Sequence, residues 1–226
     1  MSSQDGPQPN GRRFDAVIFD MDGVIADSEP AHESAFKAVL NPLGHDVVPE
    51  LQQEFMGHGL DESWGILRER FGLKDSIETL LLRYEEALLV AFSAIHETLP
   101  GVREVIAAVQ QRGLPLGVAS SSERLWVEAL LNGVGLYDAF DAVTSGREVA
   151  HGKPAGDIYL LAASKLGVTP ERCLAIEDTP AGVASVKAAG MFAVQTRSGS
   201  SPFSPLPDAD LVLESLLDFD LALLDA

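Results

Sequence analysis

The sequence predicts an α/β fold in which a doubly wound parallel sheet is interrupted by one helical insert. Three observations carry the expectation: short apolar, β-branched runs recur along the chain, patterns of helical period lie between them, and one long stretch is helical throughout. Fully buried parallel strands read as continuous apolar runs, and strands that alternate with helices imply crossover units within one sheet.

The first run, residues 14–19 (FDAVIF), reads as a buried strand ending directly at Asp20. Further strands are expected at 114–119 (LPLGVA), 142–144, 173–176 (CLAI), 192–195 (FAVQ) and 209–213 (ADLVL). Helices are expected between them at 102–112, 123–133, 154–166 and 181–189. The segment 198–207 reads as a loop, and the acidic, leucine-rich C-terminus as one more helix.

Residues 29–99 break the alternation, with amphipathic segments at 33–40, 61–71 and 75–95. In the last, Ile77, Leu81, Tyr84, Leu88, Phe92 and Ile95 recur at helical spacing, and Asp75 with Glu78 reads as a capping box. Pro100 and Gly101 mark the return to the main domain. The expected division is a flexible polar tail at 1–13, a core formed by 14–28 with 100–226, and a helical subdomain at 29–99.

Composition narrows the function. A chain of 226 residues with 46% hydrophobic and 22% charged residues suits one globular core carrying an insert. A net charge of -18, with only 16 Lys and Arg, excludes nucleic acid as the principal partner, because polyanion binding relies on those cations. A small anion would need a local cation or a metal. The single cysteine, Cys173, excludes an intramolecular disulfide, fits a reducing compartment and reads as core filler. No segment approaches the ~18 apolar residues of a membrane span, and residues 1–13 have no apolar core of a signal peptide. The expectation is a cytoplasmic monomer without a membrane partner.

In open parallel sheets the carboxyl ends of strands face a common crevice. Four such places carry reactive types: Asp20 and Asp22 (DMDGVIADSEP), Ser120 (VASSSE), Lys153 before a helix (HGKPAGDIY), and Glu177 with Asp178 (IEDTPAG). Each alone reads equally as a cap or turn residue. Together, several carboxylates near one lysine repel one another unless a cation is present. Mg²⁺ suits these oxygen donors. Zinc does not, since His32, His45, His58, His96 and His151 show no paired ligand spacing and no cysteine cluster exists. With Mg²⁺ and an anionic substrate, a carboxylate can attack phosphorus while metal, lysine and hydroxyl neutralise the transferring group. A second carboxylate two residues on can serve as general acid and then base. Gly23 suits a tight turn after Asp22, and Ser121, Ser122 and Glu123 bring a helix N-terminus where phosphate oxygens are stabilised.

These residues, in this order and around a helical insert, resemble the haloacid dehalogenase-like superfamily from Phe14 onward. The resemblance implies a Rossmann-like core with a helical cap between the first two motifs. Members with Asp-x-Asp are phosphotransferases, whereas the dehalogenases lack the second aspartate, so Asp22 points to phosphoryl transfer. It further implies Asp20 as the nucleophile that becomes an aspartyl phosphate and Asp22 as general acid and base. Asp20, the backbone carbonyl of Asp22 and Asp178 would ligate Mg²⁺, with Glu177 acting directly or through water. Ser120 and Lys153 would hold the phosphoryl group.

The expected substrate is a small phosphorylated metabolite, such as a sugar, polyol or glycolate phosphate, and the expected reaction its hydrolysis. The alternatives are a phosphosugar mutase of the beta-phosphoglucomutase type and a phosphate-binding protein without turnover. Mutases that this chain resembles carry cations in the first loop of the cap. Here residues 54–63 (EFMGHGLDES) contain no Lys or Arg, and Met56 and Leu60 stand at the approximate positions of those cations. His32 is expected near the general acid, and His58 and Met56 on the substrate side of the cap, while Trp64 reads first as core packing between the helices of the insert. Gly156, where many relatives have proline, is expected to loosen the start of its helix.

Overall fold

A computed structural model describes residues 14–47, 60–199 and 203–225. The tail at 1–13, His58 and Met56 lie outside the described residues. The chain divides into two compact units, one running to Asp27 and resuming at Glu97, the other spanning Ser28–His96.

The larger unit is a six-stranded parallel sheet in the order β3-β2-β1-β4-β5-β6. Its strands are β1 (Ala16–Phe19), β2 (Leu116–Ser120), β3 (Ala142–Ser145), β4 (Cys173–Glu177), β5 (Phe192–Thr196) and β6 (Leu211–Leu213). β1, β2 and β4 are buried at every position, which is why they stand out as unbroken apolar runs. From β1 the chain builds outward through β2 to β3, then crosses back to place β4 on the other side of β1. That reversal is the topological switch point, where open α/β sheets bind ligands. At the opposite edge, Arg172 grips Asp15 with two hydrogen bonds of 2.7 and 2.8 Å, tying the entries of β4 and β1 together.

Four helices after the insert cover the sheet. With α1 (Glu29–Leu40), α2 (Leu60–Phe71) and α3 (Ile77–Ser93) of the insert preceding them, they are α4 (Val102–Gln111), α5 (Arg124–Gly133), α6 (Asp157–Leu166) and α7 (Pro180–Ala188). On one face Ile158, Tyr159, Ala162 and Ala163 of α6 and Val183 and Val186 of α7 pack with Ala16, Ile18, Ala119, Cys173, Ala175 and Ala193. Small residues on the strands let the helices come close. α4 packs against β2 and α5 against β3.

Expectation and structure differ at the start of α6 and in the C-terminal segment. α6 starts at Asp157 rather than at 154, because Ala155 N–H turns back onto the Gly152 carbonyl. Gly156 then caps the helix, where a Cβ would lie 2.8 Å from Ala189 N. This glycine allows a close backbone approach to Ala188 and Ala189. The C-terminal segment is two 3-10 turns, Leu216–Asp218 and Leu221–Leu224, and not one helix. Ser215 and Asp220 each accept from the N–H two residues on, which closes the chain into short turns.

In the smaller unit α1 and α2 both pack against α3. Phe36, Trp64 and Tyr84 form one ring cluster, with centroids 4.7 to 5.8 Å apart. The buried line of α3 is Leu80, Tyr84, Leu88 and Phe92, while Ile77 and Leu81 are half-buried. The helix is capped by Ser76, whose Oγ accepts from Thr79 N–H at 3.2 Å. Asp75 instead pairs with Arg83, so the N-cap is Ser76, one residue beyond the Asp75 expected to open a capping box.

Candidate active site

The register brings three strand ends level. Phe19 faces Val118 of β2 and Ile176 of β4, so Asp20, Ala119 with Ser120, and Glu177 emerge side by side. Asp20 N–H donates to the Ile176 carbonyl at 2.9 Å, which holds the residue at the sheet edge. The chain then turns sharply: Gly23 N–H donates to the Ala26 carbonyl, and Gly23 has φ +73°. A Cβ on Gly23 would overlap the Asp178 carboxylate, so conformation and space both require glycine. The turn sets Asp22 beside the end of β2, where its Oδ2 accepts from Ser122 Oγ at 3.0 Å and stands 3.5 Å from Ser120 Oγ. Ser120 Oγ in turn accepts from Ser122 N–H at 3.0 Å. Ser121 is exposed, and Glu123 stands at the N-terminus of α5.

Lys153 reaches in from the loop before α6 and spends its three donors on Asp20 Oδ1 at 2.5 Å, Glu177 Oε1 at 2.6 Å and the Ala119 carbonyl at 3.2 Å. Its side chain is 9% exposed, against 8% for Asp20 and 1% for Glu177. Such an ammonium stays charged: burial disfavours the cation, but the charges and hydrogen bonds of Asp20 and Glu177 outweigh it and raise its pKa. Asp20 is pushed up to about 8, first by burial and then by Glu177 and Asp22, with Lys153 opposing. Asp178 is pushed up to about 9 by burial, Asp20 and Glu177. One cation does not balance this acidic set.

The donor set fits a hard divalent ion. Asp20, Glu177 and Asp178 each offer a carboxylate oxygen, all within 4.8 Å of one another. Asp22 Oδ1 and Asp178 Oδ1 are buried and, among the described residues, have no hydrogen-bond partner. Buried acceptors left open in this way suit a site that a cation completes.

Three contributors escape a reading of motifs. Tyr159 of α6 donates its hydroxyl to Glu177 Oε1 at 2.7 Å. Burial, then the Glu177 and Asp20 charges, raise its pKa well above the usual range, so it remains a donor. Gly182 backs Glu177 so closely that a Cβ would overlap the carboxylate. Gly146 lies on the Ser121 carbonyl and donates to the Ser122 carbonyl at 3.2 Å, supporting that loop from β3. Tyr159 and Gly182 do stand within the quoted HGKPAGDIY and IEDTPAG segments, but as an apolar-face aromatic and a helix glycine they carry no signal of their own.

Of the remaining expected residues, His32 lies on α1 in the smaller unit, with Nδ1 2.7 Å from Tyr84 Oη and its ring edge-on to Phe92. Trp64 is fully buried in the ring cluster of that unit. Among the described residues no helix is long and apolar enough to cross a membrane.

The chain is similar to several known proteins. A phosphorylated carbohydrates phosphatase of Thermotoga maritima is 36% identical over 178 residues, covering 79% of this chain and 82% of its own. The beta-phosphoglucomutase of Bacillus subtilis is 31% identical, covering 92% and 93%. A crystal structure of a CbbY variant from Rhodobacter sphaeroides, in complex with xylulose-(1,5)bisphosphate, matches with a TM-score of 0.78 and 30% identity over 94% of this chain and all of that one. The model of the haloacid dehalogenase-like hydrolases matches residues 14–190, the span that carries Asp20, Ser120, Lys153 and Asp178, and the chain belongs to that family.

Proposed function

We propose that the protein is a Mg²⁺-dependent phosphatase that hydrolyses a small phosphomonoester through an aspartyl phosphate on Asp20. The observation that carries this reading is the buried Lys153 ammonium 2.5 Å from Asp20 Oδ1, at the meeting of three strand ends, with Asp22 two residues on. A carboxylate so placed is fixed for attack on an incoming phosphorus.

In the first half-reaction an Asp20 oxygen bonds to phosphorus and the ester P–O bond breaks. The leaving oxygen takes its electron pair and a proton from Asp22. In the second, water attacks the phosphorus of the acyl phosphate, gives its proton to Asp22, and releases phosphate with the Asp20 carboxylate restored. Ser122 Oγ, which donates to Asp22 Oδ2 at 3.0 Å, aims that carboxyl group. Lys153 and the Ser120 hydroxyl are the groups we assign to the phosphoryl oxygens, with Ser121, Ser122 and Gly23 shaping the cradle. Asp20, the Asp22 carbonyl, Asp178 and Glu177 would hold Mg²⁺, which when bound supplies charge neutralisation for the transferring group.

We assign selectivity to the unit spanning Ser28–His96, including His32 and His58, as a cap. Relatives named for phosphorylated carbohydrates and phosphoglucose make sugar phosphates the first class to screen. The absence of Lys and Arg from residues 54–63 favours hydrolysis over mutase chemistry. The same reading takes the enzyme as cytoplasmic, on its lone cysteine, and as a monomer.

The test is Mg²⁺-dependent phosphate release from p-nitrophenyl phosphate by wild-type protein and by Asp20→Asn. Release by the wild type alone is expected. Undiminished release by the variant would remove Asp20 as nucleophile. With beta-glucose 1-phosphate and catalytic glucose 1,6-bisphosphate, glucose 6-phosphate appearing faster than free phosphate would convert the reading to a mutase.

A further inference from the structure

Tyr159 is fully buried on α6, where an apolar residue would satisfy packing. Its hydroxyl meets Glu177 Oε1 at 2.7 Å, and its ring lies 5.2 Å from Lys153 Nζ, measured to the centroid. One side chain thus touches both members of the Lys153–Glu177 pair, by hydrogen bond and by cation–π contact. Lys153 itself divides between Glu177 at 2.6 Å and Asp20 at 2.5 Å.

We infer that Tyr159 is a positioning residue, holding Glu177 so that Lys153 is shared with Asp20 instead of collapsing onto Glu177. The inference rests on the phosphatase reading of the same site. The physical basis is competition for one acceptor. Glu177 Oε1 takes two donors, Lys153 and Tyr159, while Oε2 accepts from Asp178 N–H at 3.0 Å. Two donors on one oxygen each hold it less strongly than a single donor does. Without the hydroxyl, Oε1 has Lys153 alone to satisfy it in a buried setting, and the ammonium is drawn from Asp20 toward Glu177. Gly182 completes the socket, because a Cβ there would expel the carboxylate from this position.

Tyr159→Phe keeps the ring and its packing and removes only the hydroxyl. The test compares wild type, Tyr159→Phe, Glu177→Gln and the double variant with Mg²⁺ present. Three quantities are read: kcat and KM on p-nitrophenyl phosphate, affinity for inorganic phosphate by titration calorimetry, and Tm. Tyr159→Phe is expected to lower kcat about tenfold, on the scale of outer-shell losses, and to weaken phosphate binding, with Tm nearly unchanged. In the Glu177→Gln background the same substitution is expected to change either readout by less than about twofold, because its effect runs through Glu177. Unchanged kcat and phosphate affinity in Tyr159→Phe, or equal losses in both backgrounds, would overturn the assignment. So would a fall in Tm with kcat intact, which marks packing alone. Should Glu177→Gln not fold, kcat and phosphate affinity of Tyr159→Phe against Tm decide. If wild type releases no phosphate, the phosphatase reading fails, and the calorimetric cycle alone still judges Tyr159.

Discussion

Replacing Glu148 by Gln removes the carboxylate on which the loop after β3 is built. Glu148 accepts from Arg124 at 2.6 Å, Lys165 at 2.6 Å and Ser145 N–H at 2.8 Å, joining the starts of the loop and of α5 to the end of α6. Its pKa falls from 4.5 to about 2: burial raises it, but the Lys165 hydrogen bond, the Ser145 N–H and the charges of Lys165 and Arg124 together prevail. At ~1.4 kcal/mol per unit this drop corresponds to at most about 3 kcal/mol. The side chain is 30% exposed, so solvent screening reduces the expected contribution to about 1–2 kcal/mol. A depressed pKa stabilises the fold fully above the unfolded value of about 4.5, and the contribution is lost as pH falls through about 2. Urea denaturation at pH 7 should therefore find Glu148→Gln less stable by about 1–2 kcal/mol, with the gap narrowing by about half at pH 3. Equal stability at pH 7, or a gap that widens on acidification, would refute the reasoning.

Two further outcomes follow from single positions. Gly23→Ala should cost about 1–2 kcal/mol in urea denaturation, from the left-handed backbone alone, and should weaken Mg²⁺ affinity in a metal titration because its Cβ displaces Asp178. Cys173 is buried, and burial with the charges of Asp15 and Glu171 pushes its thiol up to about 12. A chromogenic disulfide reagent at neutral pH should leave the native protein unlabelled and react fully only in denaturant.

The central strands and their reactive ends were legible because burial on both faces writes itself into the sequence. FDAVIF, LPLGVA and CLAI have no alternation to disguise them, and each ends at a polar residue, Asp20, Ser120 or Glu177, in the strand or just beyond it. What did not read through depends on which partner each side chain or backbone group engages, near or far in the chain. Leucine spacing at the C-terminus resembles a helix until Ser215 and Asp220 capture the N–H groups that a helix would use. Ser76 and Asp75 are equivalent caps by type, and only Arg83, eight residues on, decides that Asp75 is engaged elsewhere. Gly156 reads as a helix weakness because its reason, the backbone at Ala189, lies more than thirty residues away. Tyr159 is hidden most thoroughly: its apolar body satisfies the helical pattern, while its hydroxyl has a partner at the end of β4.

The most direct test of the account is where the phosphoryl group goes. Protein acid-quenched during turnover of a phosphomonoester and analysed by peptide mass spectrometry should carry a phosphoryl group on Asp20, absent in Asp20→Asn. A phosphoryl group on Asp22 or on a serine, or sustained turnover by Asp20→Asn, would contradict it.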